Sequence, residues 1–149
     1  EKLLDTPSPS GFEEEAVRIW SKYAARYADR VEKDFHGNSM AILNEKGTPR
    51  VMLAGHIDEI GFIITYISNE GFLSFAQIGG HDRQVIQGMR VKVMTASGPV
   101  LGLLGKKAIH LMRGDDARKV PETDEMWIDL PISRPSRSQN GSTAASTKR

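Results

Sequence analysis

No cysteine occurs among the 149 residues. Disulfides and thiolate ligands are therefore excluded, and any metal here must be held by His, Asp and Glu. An excess of charge of either sign is missing as well. Twenty Lys and Arg against 19 Asp and Glu leave a net charge of +1, which gives no argument for nucleic acid or an acidic partner. No apolar run approaches the roughly 18 residues of a spanning helix, and no basic-then-apolar leader stands at the N-terminus. The expectation is a chain with no membrane partner, and a cytoplasmic enzyme fits. Met is absent from position 1, where Glu1 stands, which reads as processing, trimming or an incomplete N-terminus. What remains is ordinary for a soluble globular protein: 39% apolar and 26% charged residues, in a length that permits one sizeable core.

Within that ordinary background one stretch stands out, Val51-Met-Leu-Ala-Gly-His-Ile-Asp-Glu-Ile-Gly-Phe62. The turn signal Gly47-Thr48-Pro49 followed by apolar Val51 to Ala54 predicts a strand buried on both faces, of the kind found in parallel or mixed sheets. His56 and Asp58 stand just past its end, where open α/β sheets place their sites. In extended geometry residues two apart point to the same side, so imidazole and carboxylate leave the backbone together. Such a pair suits a metal ligand and its orienting group, since a carboxylate on one ring nitrogen fixes the tautomer that offers the other. By spacing alone, His-x-Asp is more often a pair of surface residues or a plain hydrogen-bonded couple, and only its place at the end of a buried strand brings the ligand reading level with that one.

The chain before this stretch reads as a helix and a hairpin. Ser10 and Glu13 form the S-x-x-E pattern of a capping box, predicting a helix from about Phe12 to Ala28 with Ala16, Val17, Trp20, Tyr23, Ala24 and Tyr27 as its core-facing stripe. Glu13, Glu14 and Glu15 are best explained by the helix macrodipole rather than by a metal. Strands over Val31 to Phe35 and Met40 to Leu43 join across His36-Gly37-Asn38-Ser39, with His36 a solvated loop residue.

After Ile60 the pattern changes to strands without helices: Gly61 to Ile67, Phe72 to Ile78, Arg90 to Thr95, Val100 to Gly105 and Met126 to Leu130. Short, evenly spaced strands predict a small barrel, in which His81 and His110 are surface or barrel residues. Arg113 to Glu125 is most simply a solvated loop or a short helix. From Pro131 the chain is rich in Ser and Thr, with Ile132 its only large apolar residue, so disorder is expected.

Gly55-His-Ile-Asp-Glu-Ile-Gly-Phe62 resembles the signature of the tetrahedral aminopeptidases, a co-catalytic metallo-aminopeptidase family that includes glutamyl and deblocking aminopeptidases and some members labelled endoglucanases. Thr6-Pro-Ser-Pro-Ser-Gly-Phe-Glu13, Gly37-Asn38, Gly71-Phe72-Leu73, Gly79-Gly80 and Trp127-Ile128-Asp129-Leu130 follow in the family's order, so the resemblance covers Glu1 to Leu130. It implies an α/β fold: residues 1–59 as the N-terminal part of a layered α/β metallopeptidase domain, then 60–130 as an inserted small β-barrel that builds a homo-oligomer. Residues 131–149 are a disordered or aberrant tail that departs from the family, as a reading-frame slip or a broken gene model would produce. The implied reaction is release of an N-terminal amino acid from a peptide by water activated between two divalent ions, zinc or cobalt. On this resemblance His56 is a metal ligand and Asp58 the catalytic-site residue that orients it. The other ligands and the general base fall beyond Leu130, so this portion alone is expected to be inactive. Two rival readings remain: a non-catalytic binding or assembly module, and an endoglucanase-type glycosidase, which would use paired carboxyl groups rather than a histidine.

Overall fold

The computed structural model describes residues 1–131 and 144–146. The chain is mixed α/β and divides into two compact units, Glu1–Glu59 and Ile60–Arg149.

In the first unit, helix α1 spans Glu14–Ala24 and is followed by strands β1, Arg30–Lys33, and β2, Ser39–Ile42. The helix is shorter than its pattern suggested, and the predicted capping box is not made. Glu13 occupies the N-cap without a side-chain cap bond, because its carboxylate accepts from the Gly11 N–H at 2.7 Å and the Ser10 hydroxyl is engaged elsewhere. Ala16 and Val17 are buried, whereas Tyr23 and Tyr27 are exposed and contact each other with ring centroids 5.5 Å apart. The expected stripe is therefore covered only in part. The reason is the size of what faces it: β1 and β2 form a two-stranded sheet of four-residue strands, too small to cover the whole apolar face of a three-turn helix.

The hairpin between β1 and β2 is antiparallel, with Arg30 opposite Ile42 and Lys33 opposite Ser39, and Gly37 supplies the positive φ of its turn. Asp34 fastens that turn. Its carboxylate accepts from the Asn38 N–H at 2.9 Å and from Asn38 Nδ2 at 2.7 Å, and these bonds, the side-chain one foremost, hold its pKa below the ordinary value. A depressed carboxylate stabilises the fold above its unfolded pKa of about 3.9, and that contribution disappears as pH falls through the lower folded value. Acidification through this range is expected to release the Asn38 amide, seen as a chemical shift change and a loss of protection relative to the intrinsic exchange rate at each pH, and Asp34→Asn should remove that pH dependence. An Asn38 amide indifferent to Asp34 protonation would contradict it.

The strand expected over Val51 to Ala54 is absent. Val51, Met52 and Leu53 are 79%, 86% and 96% exposed, and no residue between 50 and 58 lies in a strand. A strand exists only where neighbouring main chain completes its ladder. Among the described residues, this stretch of the unit contributes just one isolated parallel bridge, Pro9 with Glu59.

In the second unit, five strands correspond closely to the sequence pattern: β3 Gly61–Ile67, β4 Leu73–Ile78, β5 Arg90–Thr95, β6 Gly98–Lys106 and β7 Met126–Asp129. Three short 3-10 turns, Ile109–Leu111, Gly114–Arg118 and Thr123–Glu125, fill the charged connection between β6 and β7. Alternation is clearest in β5, where Val91 and Val93 are buried and Arg90 and Lys92 face outward. The sheet curls until its edges meet, in the order β3-β4-β7-β6-β5-β8. Strand β8 is Ala144–Ser146, which pairs antiparallel with both β3 and β5.

This last strand corrects the expectation that the whole segment after Leu130 stays unpaired; the other residues beyond Pro131 lie outside the described residues. The low apolar content of the segment was a poor guide at this point, because main-chain pairing needs no large side chain and β3 and β5 each offer an edge of unpaired N–H and C=O groups.

Phe62, Leu73, Phe75, Ile86, Val91, Val93, Leu104, Met126 and Ile128 make the core of this unit. Each such aliphatic or aromatic side chain contributes about 1.5–3 kcal/mol by leaving water. Gly102 lets β6 come close to β7: a Cβ there would stand 2.6 Å from Ile128 Cγ2.

Candidate functional site

His56 and Asp58 lie on the non-strand segment that leads to β3. Although no strand carries them, the local chain still sends both side chains the same way: His56 Nδ1 is 3.0 Å from Asp58 Oδ1 and 3.2 Å from the Asp58 main-chain oxygen. The geometry expected of alternate residues in extended chain is thus reached without a sheet. Two acceptors on one nitrogen favour a proton on Nδ1, which leaves Nε2 as the nitrogen with a free lone pair. The imidazole is 86% exposed and the carboxylate 37%.

The other carboxylate oxygen is also committed. Ser10 Oγ donates to Asp58 Oδ2 at 2.5 Å. This hydroxyl, and after it His56, holds the Asp58 carboxyl below its usual range. The link is made possible by a strap formed by residues 8–10. Ser8 N–H donates to Glu59 Oε1 at 2.8 Å, and Ser8 Oγ donates to the Ile57 oxygen at 3.0 Å. Glu59 N–H donates to the Ser8 oxygen at 2.8 Å, and Ser10 N–H donates to the Glu59 oxygen at 3.2 Å. Pro7 and Pro9 have no N–H to give and have restricted φ, so in Pro7-Ser8-Pro9-Ser10 the two serines supply every main-chain donor. Ser8 is buried at 4% exposure, the one buried polar side chain of the described residues.

Reading the sequence for periodicity assigned Ser10 to a helix cap and overlooked Ser8 and Glu59. The available signal was the alternation itself, two serines each preceded by a proline, which is the pattern of a chain segment that pairs along an edge.

The remaining candidates do not join this pair. Glu15 is bonded to Arg18 at 2.5 Å, and Glu13 is held by Gly11. His36 is exposed and lies edge-on to Phe35. His81 belongs to the second unit, where Nε2 is 2.9 Å from the Gly61 oxygen and the ring stacks on Phe62 at 4.3 Å. His110 is exposed on the turn Ile109–Leu111. Among the described residues no group of three or more His, Asp or Glu side chains could hold a metal ion. One imidazole nitrogen is available at His56, while both oxygens of Asp58 and one of Glu59 already accept hydrogen bonds. These residues fit one corner of a metal site and not a whole one, since a catalytic zinc takes about three protein ligands.

Comparison with known proteins gives a consistent result. The sequence pattern of the M42 glutamyl aminopeptidase family matches residues 37–141. The lysyl aminopeptidase of Pyrococcus furiosus is 31% identical over 136 residues, which are 89% of this chain and 38% of that protein. A TET aminopeptidase from a marine sediment archaeon, Thaumarchaeota archaeon SCGC AB-539-E09, superposes with a TM-score of 0.90 at 35% identity over 98% of this chain and 42% of the other. The TET1 peptidase of Pyrococcus horikoshii, described as assembling into a tetrahedron or a large octahedral shell, gives 0.79 at 28% identity over 99% and 45%. The chain spans between 21% and 39% of the length of these curated relatives.

Proposed function

Because this chain belongs to the M42 glutamyl aminopeptidase family, we propose that it is part of a metallo-aminopeptidase that releases N-terminal amino acids from peptides. The observation that carries the reading is the His56–Asp58 pair, in which the carboxylate takes Nδ1 and leaves Nε2 to a ligand. Enzymes of this family are metal-dependent, and two divalent ions, zinc or cobalt, would supply the Lewis acid that turns water into a nucleophile. In this proposal His56 is one protein ligand and Asp58 is the group that fixes its tautomer and direction, both acting within a site completed by residues outside those described.

Residues 1–59 are read as the N-terminal part of the α/β catalytic domain, and the curled sheet of residues 60–130 as its inserted barrel. For the barrel we propose a role in homo-oligomerisation, supported by the assembly described for the Pyrococcus horikoshii relative. Among the described residues no helix is long and apolar enough to cross a membrane. A cytoplasmic enzyme with peptide substrates, no membrane partner and no nucleic-acid partner remains our reading.

The test joins residues 1–130 to the C-terminal part of the lysyl aminopeptidase of Pyrococcus furiosus and assays peptides with and without a chelator. Release of N-terminal amino acids that stops on chelation, with two divalent ions bound per chain, is the expected result. A chimera that folds but binds no metal would favour a non-catalytic module, and chelator-resistant release of sugar from a glycan would favour the glycosidase.

A further inference from the structure

The role of Ser10 goes beyond a surface hydrogen bond. Its hydroxyl takes Asp58 Oδ2 at 2.5 Å while His56 Nδ1 stands 3.0 Å from Oδ1, so the carboxylate is gripped on both oxygens by residues 48 and 2 positions away in the chain. A carboxylate bonded on one oxygen alone can turn about its last torsion, which is broad and roughly two-fold. Held on both oxygens it has one orientation, and that orientation aims Oδ1 at the imidazole. His56 itself is in need of such a hold, since its side chain is 86% exposed and has few packing contacts to fix its ring.

The hydroxyl is delivered by a rigid support. Four hydrogen bonds join Ser8 and Ser10 to Ile57 and Glu59, around the parallel bridge of Pro9 with Glu59, and Pro7 and Pro9 limit the motion of the strap. Ordering entropy for the Ser10–Asp58 bond is therefore largely met by contacts that exist without it.

We propose that Ser10 is a positioning residue for His56: by holding Asp58 in one orientation it keeps the proton on Nδ1 and the Nε2 lone pair directed outward for a metal ion. The proposal rests on reading His56 as a ligand, but its test does not require a loaded enzyme. In the full 149-residue chain labelled with 15N-histidine, the ring-nitrogen shifts of His56, assigned by their loss in His56→Ala, report the ratio of Nδ1–H to Nε2–H forms at a pH where the ring is neutral.

Ser10→Ala is expected to move that ratio toward Nε2–H by about three- to tenfold, the size of one hydrogen bond's net effect. Ser10→Thr, which keeps the hydroxyl, should return it to the wild-type value. Asp58→Ala should move it at least as far as Ser10→Ala. If Ser10→Ala leaves the ratio unchanged while Asp58→Ala shifts it, Ser10 has no hold on the ring and the proposal is overturned, with the role of Asp58 intact. If Asp58→Ala is also silent, the role of Asp58 falls with it. A shift in Ser10→Ala that Ser10→Thr does not reverse would overturn the proposal too, because the hydroxyl would then not be its cause.

Discussion

His56→Ala is expected to abolish amino-acid release in a chimera of residues 1–130 with the C-terminal part of the Pyrococcus furiosus lysyl aminopeptidase, and to leave the 149-residue chain alone no worse than before. The contrast follows from ligand count. A catalytic metal needs about three protein ligands, and in the completed site removal of one first-contact imidazole loses the ion. The described residues of this chain hold no such set, and a lone imidazole with its carboxylate binds divalent ions weakly, so wild type and variant should share the same negligible affinity. Asp58→Asn in the chimera should cost about 10- to 100-fold in metal affinity or activity, the usual effect of losing the carboxylate behind a ligating histidine. Calorimetric metal titration together with a peptide assay separates these cases. Full activity in the His56→Ala chimera, or tight binding of two ions by the unmodified chain, would overturn the assignment of His56 as one ligand of a divided site.

The second large effect is on stability. Phe62 is fully buried between Phe75, ring centroids 4.8 Å apart and tilted by 69°, and His81, stacked at 4.3 Å. Phe62→Ala deletes a ring that touches two others and leaves a cavity in the core of the second unit. The expected loss is about 3–5 kcal/mol for the second unit, with Phe62→Leu losing less because most of the volume is kept. The two tryptophans make the measurement clean. Trp20 lies in the first unit and Trp127 in the second, so in a Trp20→Phe background the fluorescence of Trp127 follows unfolding of the second unit alone. A denaturant midpoint shifted at constant slope reports the change, and a loss below about 1 kcal/mol would show that the core does not depend on this ring.

Much of this protein was legible in the order of its residues. The strands β3 to β7 and their turns came from alternation and from glycine placement, both of which act over a few residues and need no distant partner. Gly71 and Gly98 stand at positive φ where the chain turns between paired strands. The His56–Asp58 pair was legible for the same reason, since two residues separated by one other meet through local geometry alone. The family could be read from the octapeptide around them, because it is a contiguous motif.

What the sequence alone did not determine depended on partners far away in the chain or on how much sheet was present to bury a surface. Val51 to Ala54 has the composition of a buried strand, yet a strand is a property of its neighbours, and Val51, Met52 and Leu53 are exposed. The helix stripe was right in period and wrong in extent, since Ala16 and Val17 are buried but Tyr23 and Tyr27 stay in solvent in a unit whose sheet has two strands. Ser10 matched a local capping pattern that would have satisfied one orphan helix N–H. A strap paired across some 50 residues gave its hydroxyl a charged acceptor instead, and a hydrogen bond to a carboxylate is the stronger of the two. The closure of the sheet by Ala144–Ser146 was hidden for a related reason: an open edge recruits main chain, which every residue has, so side-chain composition carries little sign of it.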